Sequence, residues 1–270
     1  MAMRSSLPPS APAARLIEPG LPLVIGHRGA SAHAPENTLA AFALALDQGA
    51  DALEMDVRVT RDGTVIVLHD PSLDRTTGGS GFVSGMTTRD VCAPDAGARF
   101  TADGGASYPF RDRDIRVPTF AEVLEAFPGV PLLVEVKTVA AMAPLAAVVR
   151  RHGAEGQIVA AAYGHEALEA FRAPPFTVGA SMRDIARLYF GALAGMPPRE
   201  AGYRLLAVPE RWRGLPVPTP RFIRAAHHLG AAVHVWTVDD PAVARKLWAN
   251  GVAGIVTNDP GGMVGRGDRR

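Results

Sequence analysis

Cysteine, lysine and long apolar runs are scarce in this chain of 270 residues. Its single cysteine, Cys92, cannot form an internal disulfide, which favours a reducing, cytoplasmic compartment and excludes a cysteine-rich zinc site. No apolar run reaches the roughly 18 residues of a membrane-spanning helix, so we expect no stable membrane insertion. Net charge is small as well: 28 Lys and Arg residues against 27 Asp and Glu residues give +1, which excludes a strongly basic nucleic-acid-binding protein.

The composition is that of a folded domain. Hydrophobic residues make up 47% of the chain, too many for a disordered protein. The length of 270 residues suits one α/β barrel, which commonly takes about 250 residues as a single domain. The segment 1–20 is rich in proline and lacks the apolar centre of a secretory signal, so the sequence predicts a flexible leader there.

Short β-type runs alternate with helical patterns along the chain. The nine strand-like runs cover 23–26, 52–57, 65–69, 131–136, 157–161, 177–180, 204–208, 232–237 and 254–257. Several are apolar throughout, as expected of parallel strands that are covered on both faces. Asp62-Gly63 predicts a two-residue hairpin after the second run, because this connection is too short for a parallel crossover. Without the returning arm of that hairpin, the count of strands matches a (βα)8 TIM barrel.

The segments between the strands carry helix signals. The predicted helices cover 38–48, 120–127, 164–172, 182–194, 220–230 and 241–251. Asn37 precedes the first of them and is a candidate cap. A glycine-rich segment at about 71–117 breaks the alternation and predicts an insertion over the barrel mouth. The predicted fold is therefore an α/β TIM barrel over 21–262 with this insertion, followed by a flexible tail at 263–270.

Polar residues at strand ends are the candidates for chemistry, because the active sites of such barrels lie at the carboxyl ends of the strands. The first strand leads into His27 and Arg28, a proton carrier and a cation suited to binding a phosphate. Glu54 and Asp56 share one face of the second strand, since residues i and i+2 of a strand point the same way. Two such carboxylates repel each other unless a cation lies between them.

The predicted hairpin brings a second histidine to these carboxylates. A two-residue turn sets Arg61 opposite Thr64, and the same register sets His69 opposite Asp56. Directly opposed residues of an antiparallel pair have Cβ atoms about 5 Å apart. The sequence therefore predicts that His69 lies beside the carboxylate pair.

A third carboxylate, Glu135, ends another apolar strand, and Lys137 follows it on the same face. Three carboxylates suit a hard cation such as Mg²⁺ or Ca²⁺ better than zinc. An internal ion pair between Glu135 and Lys137 is the other interpretation of this motif. Together with the histidines and Arg28, these groups are the equipment for metal-assisted attack on a phosphoester.

The order of these motifs resembles that of the glycerophosphodiester phosphodiesterase family. The motifs are His27-Arg28-Gly29, Pro35-Glu36-Asn37-Thr38, Glu54-Met55-Asp56, His69-Asp70, Glu135-Val136-Lys137, Val235-Trp236-Thr237 and Gly254-Ile255-Val256-Thr257-Asn258-Asp259-Pro260. The resemblance covers about 22–262 of the chain. It implies a TIM barrel with a small insertion after the His-Asp motif. It also implies metal-dependent hydrolysis of small glycerophosphodiesters to sn-glycerol 3-phosphate and an alcohol.

The same resemblance implies a role for each candidate residue. The roles are proton transfer for His27 and His69, phosphate binding for Arg28 and Lys137, substrate contact for Asn37 and Trp236, and metal coordination for Glu54, Asp56 and Glu135. For Asn37, capping of its helix is the simpler alternative. The oligomeric state stays open, a homo-oligomer included.

Two other functions remain open at this point. A phospholipase-like relative, cutting lysophospholipid or phosphoinositide head groups, needs an apolar rim at the mouth, for which the insertion offers Phe82, Phe100, Tyr108 and Phe110. An inactive barrel that senses phosphate ligands is disfavoured by the intact histidines and carboxylates. A further histidine, His234, shares a strand face with Trp236 and is interpreted as a hydrogen-bonded core residue.

Overall fold

The computed structural model of the protein describes residues 11–264. The strands are β1 (Leu23–His27), β2 (Ala52–Val59), β3 (Val65–Val67), β4 (Leu132–Val136), β5 (Ile158–Ala161), β6 (Leu205–Pro209), β7 (Arg211–Trp212), β8 (Leu215–Pro216), β9 (Ala232–Trp236) and β10 (Gly254–Thr257). The α-helices are α1 (Leu39–Asp47), α2 (Thr88–Cys92), α3 (Phe120–Ala126), α4 (Val139–Arg151), α5 (Met182–Leu193), α6 (Pro220–His228), α7 (Pro241–Ala249) and α8 (Pro260–Met263). Short 3-10 helices cover Pro12–Ile17, Val83–Gly85 and His165–Phe171.

Parallel strands form the wall of a barrel in the order β5-β4-β2-β1-β10-β9-β6. The segment 177–180 lies between β5 and β6 and closes the wall through two parallel bridges, Ala160 with Val178 and Gly179 with Leu205. The predicted (βα)8 TIM barrel is confirmed. The strand predicted at 177–180 is shorter than expected, because its backbone pairs with each neighbour at only one bridge.

Alternate residues of β2 face opposite sides of this wall. Leu53, Met55 and Val57 are fully buried in the core between the strands and the helices. Glu54 and Asp56, which alternate with them, face the inside of the barrel together, as the strand period predicts. In β2, the apolar residues thus pack against the helices, and the two carboxylates face the interior of the barrel.

The amino-terminal end of the barrel is covered by residues that the sequence assigns to a flexible leader. Pro12–Ile17 form a 3-10 helix, in which Ala13 and Leu16 have no exposed surface. The N–H of Ala13 donates to the carbonyl of Gly156 over 3.0 Å. The leader prediction is wrong for this part of the chain, because apolar side chains of the short helix pack into the barrel's inner core. Residues 1–10, and 265–270 of the predicted tail, lie outside the described residues.

His234 lies opposite Gly254, which in turn pairs with Leu23 at the start of β1. It is therefore nearer the amino-terminal end of the barrel, whereas His27 lies at the carboxyl end of β1. Its side chain is fully buried, and this burial lowers the pKa of His234 to about 4. The imidazole is therefore neutral near pH 7. Burial confirms the core position expected from the sequence, but not the hydrogen bond expected with it.

The hairpin between β2 and β3 is antiparallel as predicted, but its turn is longer. The N–H of Thr60 donates to the carbonyl of Thr64 over 3.0 Å, which leaves three residues in the loop. The third, Gly63, has φ of +84°, a conformation that glycine adopts without a steric penalty. Asp62 accepts hydrogen bonds from the hydroxyl of Thr60 at 2.6 Å and the N–H of Thr88 at 3.0 Å. These side-chain bonds hold the longer loop and tie it to α2.

The extra loop residue shifts the hairpin register by one position. Val57 pairs with Val67, and the N–H of Leu68 donates to the carbonyl of Asp56 over 2.9 Å. The predicted pairing of Asp56 with His69 is therefore wrong. His69 nevertheless reaches the interior, because β3 ends at Val67 and the chain turns before the histidine.

The structure also differs from the sequence predictions for two helices. Thr38, not Asn37, caps α1: its side chain accepts a hydrogen bond from the N–H of Ala41. The helix Val139–Arg151 is absent from the predicted set. Pro144 in its interior removes one backbone donor and is normally a sign against a helix. Packing of Leu145 and other apolar residues against the strands overrides that signal.

The segment 71–117 packs onto β3 through a small core of its own. Its buried residues include Leu73, Val83, Val91 and Val117, which cluster with Ile66 of β3. The start of the insertion is thereby held beside the barrel mouth. Within residues 11–264, no helix has both the length and the apolar character needed to cross a membrane.

Candidate active site

Strand register brings the predicted polar residues together. His27 at the end of β1 lies opposite Glu54 of β2, and Asp56 lies opposite Glu135 of β4. Oxygen atoms of the three carboxylates all lie within 4.8 Å of one another. Lys137 follows immediately after β4, where its N–H donates to the carbonyl of Val57 over 3.1 Å.

One of these carboxylates, Asp56, forms ion pairs with two cationic side chains. Asp56 is 1% exposed, and its oxygens lie 2.9 Å from Lys137 Nζ and 3.0 Å from Arg28 Nε. Although burial raises the pKa of Asp56, the charges of Lys137 and Arg28 outweigh it and lower that pKa. Lys137 Nζ also lies 3.0 Å from Glu135 Oε1, so the ion pair considered from the sequence is present.

Glu54 lacks such compensation. It is 6% exposed, and its Oε2 accepts a hydrogen bond from the backbone N–H of Arg28 over 3.0 Å. Burial, together with the negative charges of Asp56 and Glu135, raises the pKa of Glu54 well above its ordinary value. The three carboxylates, if all ionised, carry three negative charges, and Arg28 and Lys137 carry two positive charges. One negative charge therefore remains without a compensating cation. A hard divalent cation fits this donor set, because it would neutralise the remaining charge through oxygen ligands.

This imbalance predicts how metal-free protein responds to pH. A carboxyl whose pKa is raised by folding contributes its full stability below the ordinary glutamate pKa and loses it as pH rises through the raised value. In chelator, we therefore expect the melting temperature of the wild type to fall with rising pH more steeply than that of Glu54→Gln. Added Mg²⁺ or Ca²⁺ should raise the wild-type melting temperature and have little effect on the variant. A variant that melts well below the wild type in alkaline chelator contradicts this account.

A chain of hydrogen bonds determines which ring nitrogen of His27 carries the hydrogen. Its Nδ1 lies 2.7 Å from Asn258 Oδ1, and Asn258 Nδ2 donates to Asp239 Oδ2 over 2.8 Å. Because a carboxylate only accepts, Asp239 orients the amide, and His27 Nδ1 must carry the hydrogen. Burial and the charge of Arg28 lower the pKa of His27. The free lone pair is therefore on Nε2, 4.0 Å from Glu54 Oε2.

His69 has a different neighbour. Its Nδ1 donates to Asp70 Oδ1 over 2.7 Å, and its backbone carbonyl accepts from Arg58 Nη2 at 2.6 Å. The partner of Nδ1 is therefore a carboxylate for His69 and a neutral amide for His27, so different groups orient the two rings.

Arg28 and Asn37 both contact Asp56. Both residues have a positive φ, of +56° and +57°, and they lie in the segment between β1 and α1. Arg28 Nη1 donates to Glu36 Oε1 over 2.8 Å. Asn37 is 2% exposed; its Nδ2 donates to Asp56 Oδ2 at 2.9 Å and its Oδ1 accepts from the N–H of Asp56. Both ends of the Asn37 amide thus hold Asp56, and contact of Asn37 with substrate stays a prediction.

The mouth of the barrel contains a cavity of about 210 Å³ with one polar and one apolar wall. Its polar residues are His27, Arg28, Glu54, His69, Glu135 and Lys137. The apolar wall includes Tyr163, Met182, Ile185 and Trp236. The insertion aromatics that the sequence offers as a rim, such as Phe82, are not among its lining residues.

Three supporting residues escape sequence reasoning. Asn258 lies in a quoted motif, but nothing local indicates that it contacts His27, 231 positions away. Asp239 contacts Asn258, and Arg75 of the insertion contacts Glu36 and Asp70; neither residue carries a strand-end signal. Only the Thr-Asn-Asp-Pro run at 257–260 marks one of them as a residue worth testing.

Comparison with known proteins agrees with this geometry. The model of the glycerophosphoryl diester phosphodiesterase family matches residues 27–169 and 174–262. The chain belongs to this family. A glycerophosphodiester phosphodiesterase from Caldanaerobacter subterraneus is 31% identical over 251 residues, covering 90% of this chain and 96% of that protein.

Solved structures of the phosphodiesterase family show the same barrel. A glycerophosphodiester phosphodiesterase from Agrobacterium tumefaciens is 30% identical, with a TM-score of 0.71 over 90% of this chain and 99% of that one. A phosphodiesterase from Oleispira antarctica, in complex with its product sn-glycerol 3-phosphate, is 26% identical, with a TM-score of 0.74 over 90% and 95%. The matches extend along nearly the whole described chain.

Proposed function

We propose that this protein hydrolyses glycerophosphodiesters to sn-glycerol 3-phosphate and an alcohol, with a divalent cation as cofactor. The observation that carries the proposal is one cavity lined by two histidines, two cationic side chains and the carboxylates Glu54 and Glu135. Such a set can bind a phosphodiester and move protons on both sides of phosphorus. The product named for the Oleispira relative supports the same substrate class.

The hydrogen bonds of the histidines support distinct roles. With Nδ1 donating to Asn258, His27 offers the lone pair of Nε2 to accept a proton from the attacking hydroxyl. His69 also lines the cavity, and its Nδ1 is occupied by Asp70, which leaves Nε2 for proton transfer to the departing alcohol. We therefore assign His27 as general base and His69 as general acid.

The cationic residues answer the charge that develops on the phosphoryl oxygens. Arg28 is held by Glu36 and Asp56, and Lys137 by Asp56 and Glu135, so both present their remaining N–H groups in defined positions. Preorganised donors of this kind stabilise a transition state without moving. Phosphate binding by Arg28 and Lys137 is part of the proposal.

Glu54, Asp56 and Glu135 would hold the cation, of which Mg²⁺ and Ca²⁺ are the candidates. When bound, such an ion lowers the pKa of a coordinated hydroxyl and neutralises phosphoryl charge. Removal of metal should abolish turnover of glycerophosphocholine, and adding back each ion in turn should restore it. Enzymatic detection of glycerol 3-phosphate is the measurement. Undiminished product release in chelator contradicts the role of the cation, and no turnover of any glycerophosphodiester favours the phosphate sensor.

The apolar wall of the cavity favours a second candidate substrate. Tyr163 is 70% exposed and Trp236 is 42% exposed, so an acyl chain leaving the cavity would meet apolar surface. A lysophospholipid differs from glycerophosphocholine by that chain. Comparing choline release from both compounds separates the two: faster release from the lysophospholipid would make the protein phospholipase-like.

A further inference from the structure

Arg75, in the insertion, joins two carboxylates beside the cavity. Its Nε donates to Asp70 Oδ2 over 2.6 Å, and its Nη2 donates to Asp70 Oδ1 over 3.1 Å. Its Nη1 and Nη2 donate to Glu36 Oε2 and Oε1 over 2.7 and 2.8 Å. One guanidinium thus holds two carboxylates, each in a two-point grip.

Each of these carboxylates holds a residue of the cavity on its other side. Glu36 accepts from Arg28 Nη1 over 2.8 Å, and Asp70 accepts from His69 Nδ1 over 2.7 Å. A continuous chain of hydrogen bonds therefore runs from the proposed phosphate-binding arginine to the proposed general acid. Arg75 is its centre, and it does not line the cavity itself.

We propose that Arg75 is a positioning residue that sets the mutual placement of Arg28 and His69; this inference rests on the proposed function. Glu36 and Asp70 carry like charges, so without a cation between them they repel and release the side chains they hold. A planar fork with five donors meets both carboxylates at once, which a lysine ammonium cannot do. The insertion, through this one side chain, thereby completes the geometry of the barrel mouth.

The state of Glu36 agrees with that arrangement. Although burial raises the pKa of Glu36, the hydrogen bonds from Arg75 and the charge of Arg28 lower it below its ordinary value. Arg75 is itself about half exposed, at 48% of its side chain. Glu36 and Asp70 are less exposed, at 19% and 23% of their side chains, and they are the groups that contact the cavity residues, so we expect loss of Arg75 to act on the site more than on the fold.

The test compares Arg75→Ala with Arg111→Ala. Arg111 is another insertion arginine, which lies over the ring of Tyr108 and donates to the carbonyl of Ala98. We expect Arg75→Ala to lower kcat for glycerophosphocholine by about 10–100-fold, as losses of supporting residues do, with a smaller change in KM. Arg75→Lys should not recover the rate. Millimolar guanidinium ion should recover part of it in Arg75→Ala, while ammonium should not. Arg111→Ala should keep wild-type kcat.

A second readout does not depend on turnover. In ¹⁵N NMR spectra, assigned with His69→Ala, the protonated Nδ1 signal of His69 should change in Arg75→Ala and stay unchanged in Arg111→Ala. Wild-type kcat and an unchanged His69 signal in Arg75→Ala would overturn the proposal. Loss of rate explained by loss of folded protein, with no guanidinium rescue, would also overturn it. Absence of turnover in the wild type contradicts the proposed function instead, and the His69 signal then decides on Arg75 alone.

Discussion

His69→Ala should lower turnover of glycerophosphocholine by about 10²–10⁴-fold, the usual contribution of a general acid. The same variant should lose far less activity on the p-nitrophenyl ester of glycerol 3-phosphate. Nitrophenolate is a stable anion that departs without a proton, so the step assigned to His69 becomes unnecessary. Initial rates on the two esters, measured under saturating metal, give the comparison directly.

His27→Ala is the matched control for this experiment. If His27 removes a proton from the attacking hydroxyl, its loss should lower turnover of both esters by a similar factor, again about 10²–10⁴-fold. Binding of the esters should change much less in either variant. Selective rescue of His27→Ala by the nitrophenyl ester would reverse the assignment of acid and base. Equal losses on both esters in both variants would remove the distinction between them.

The placement of Glu54, Asp56 and Glu135 follows from local sequence rules. Each lies in an apolar strand, and neighbouring parallel strands place such residues side by side at the same edge of the barrel. The strand period also puts Glu54 and Asp56 on one face. These features need only the order and direction of the strands, which alternating patterns predict well.

The hydrogen-bond partners of the histidines could not be predicted from local sequence patterns alone. The Asn258–His27 contact joins the two ends of the barrel sequence, and only closure of the wall between β1 and β10 brings them together. The observed hairpin register goes with a longer loop, in which Asp62 accepts hydrogen bonds from Thr60 and from Thr88 of α2, outside the hairpin. The register rule treats a turn as an isolated unit and takes no account of such a tertiary contact.

The competing interpretations of Lys137 turned out to be compatible. Its ammonium pairs with Asp56 and Glu135, yet it also lines the cavity. A charge at the end of a barrel strand can compensate buried carboxylates and still face a ligand. Sequence spacing cannot separate these roles, because both need the side chain on the same face.

The largest effect is expected from a change in the substrate. A glycerophosphodiester carries a hydroxyl on the carbon next to its phosphoester oxygen. That hydroxyl is already within reach of phosphorus, and intramolecular groups of this kind act at effective concentrations of about 10⁵–10⁸ M. We propose that it attacks phosphorus as His27 accepts its proton and His69 protonates the leaving alcohol. The resulting cyclic glycerophosphate would then be hydrolysed to glycerol 3-phosphate.

Replacing the neighbouring hydroxyl by hydrogen should therefore lower kcat by at least about 10³-fold, because free water would have to substitute for a tethered nucleophile. Binding should be largely retained, since the phosphate and the leaving alcohol are unchanged; the inhibition constant of the deoxy compound against glycerophosphocholine measures this. In single-turnover ³¹P NMR of the normal substrate, the cyclic ester should appear before glycerol 3-phosphate. Turnover of the deoxy compound within a few-fold of the normal substrate would instead make direct attack by water the mechanism. His27 would then serve as the base for that water, in the same position and with the same hydrogen bond to Asn258.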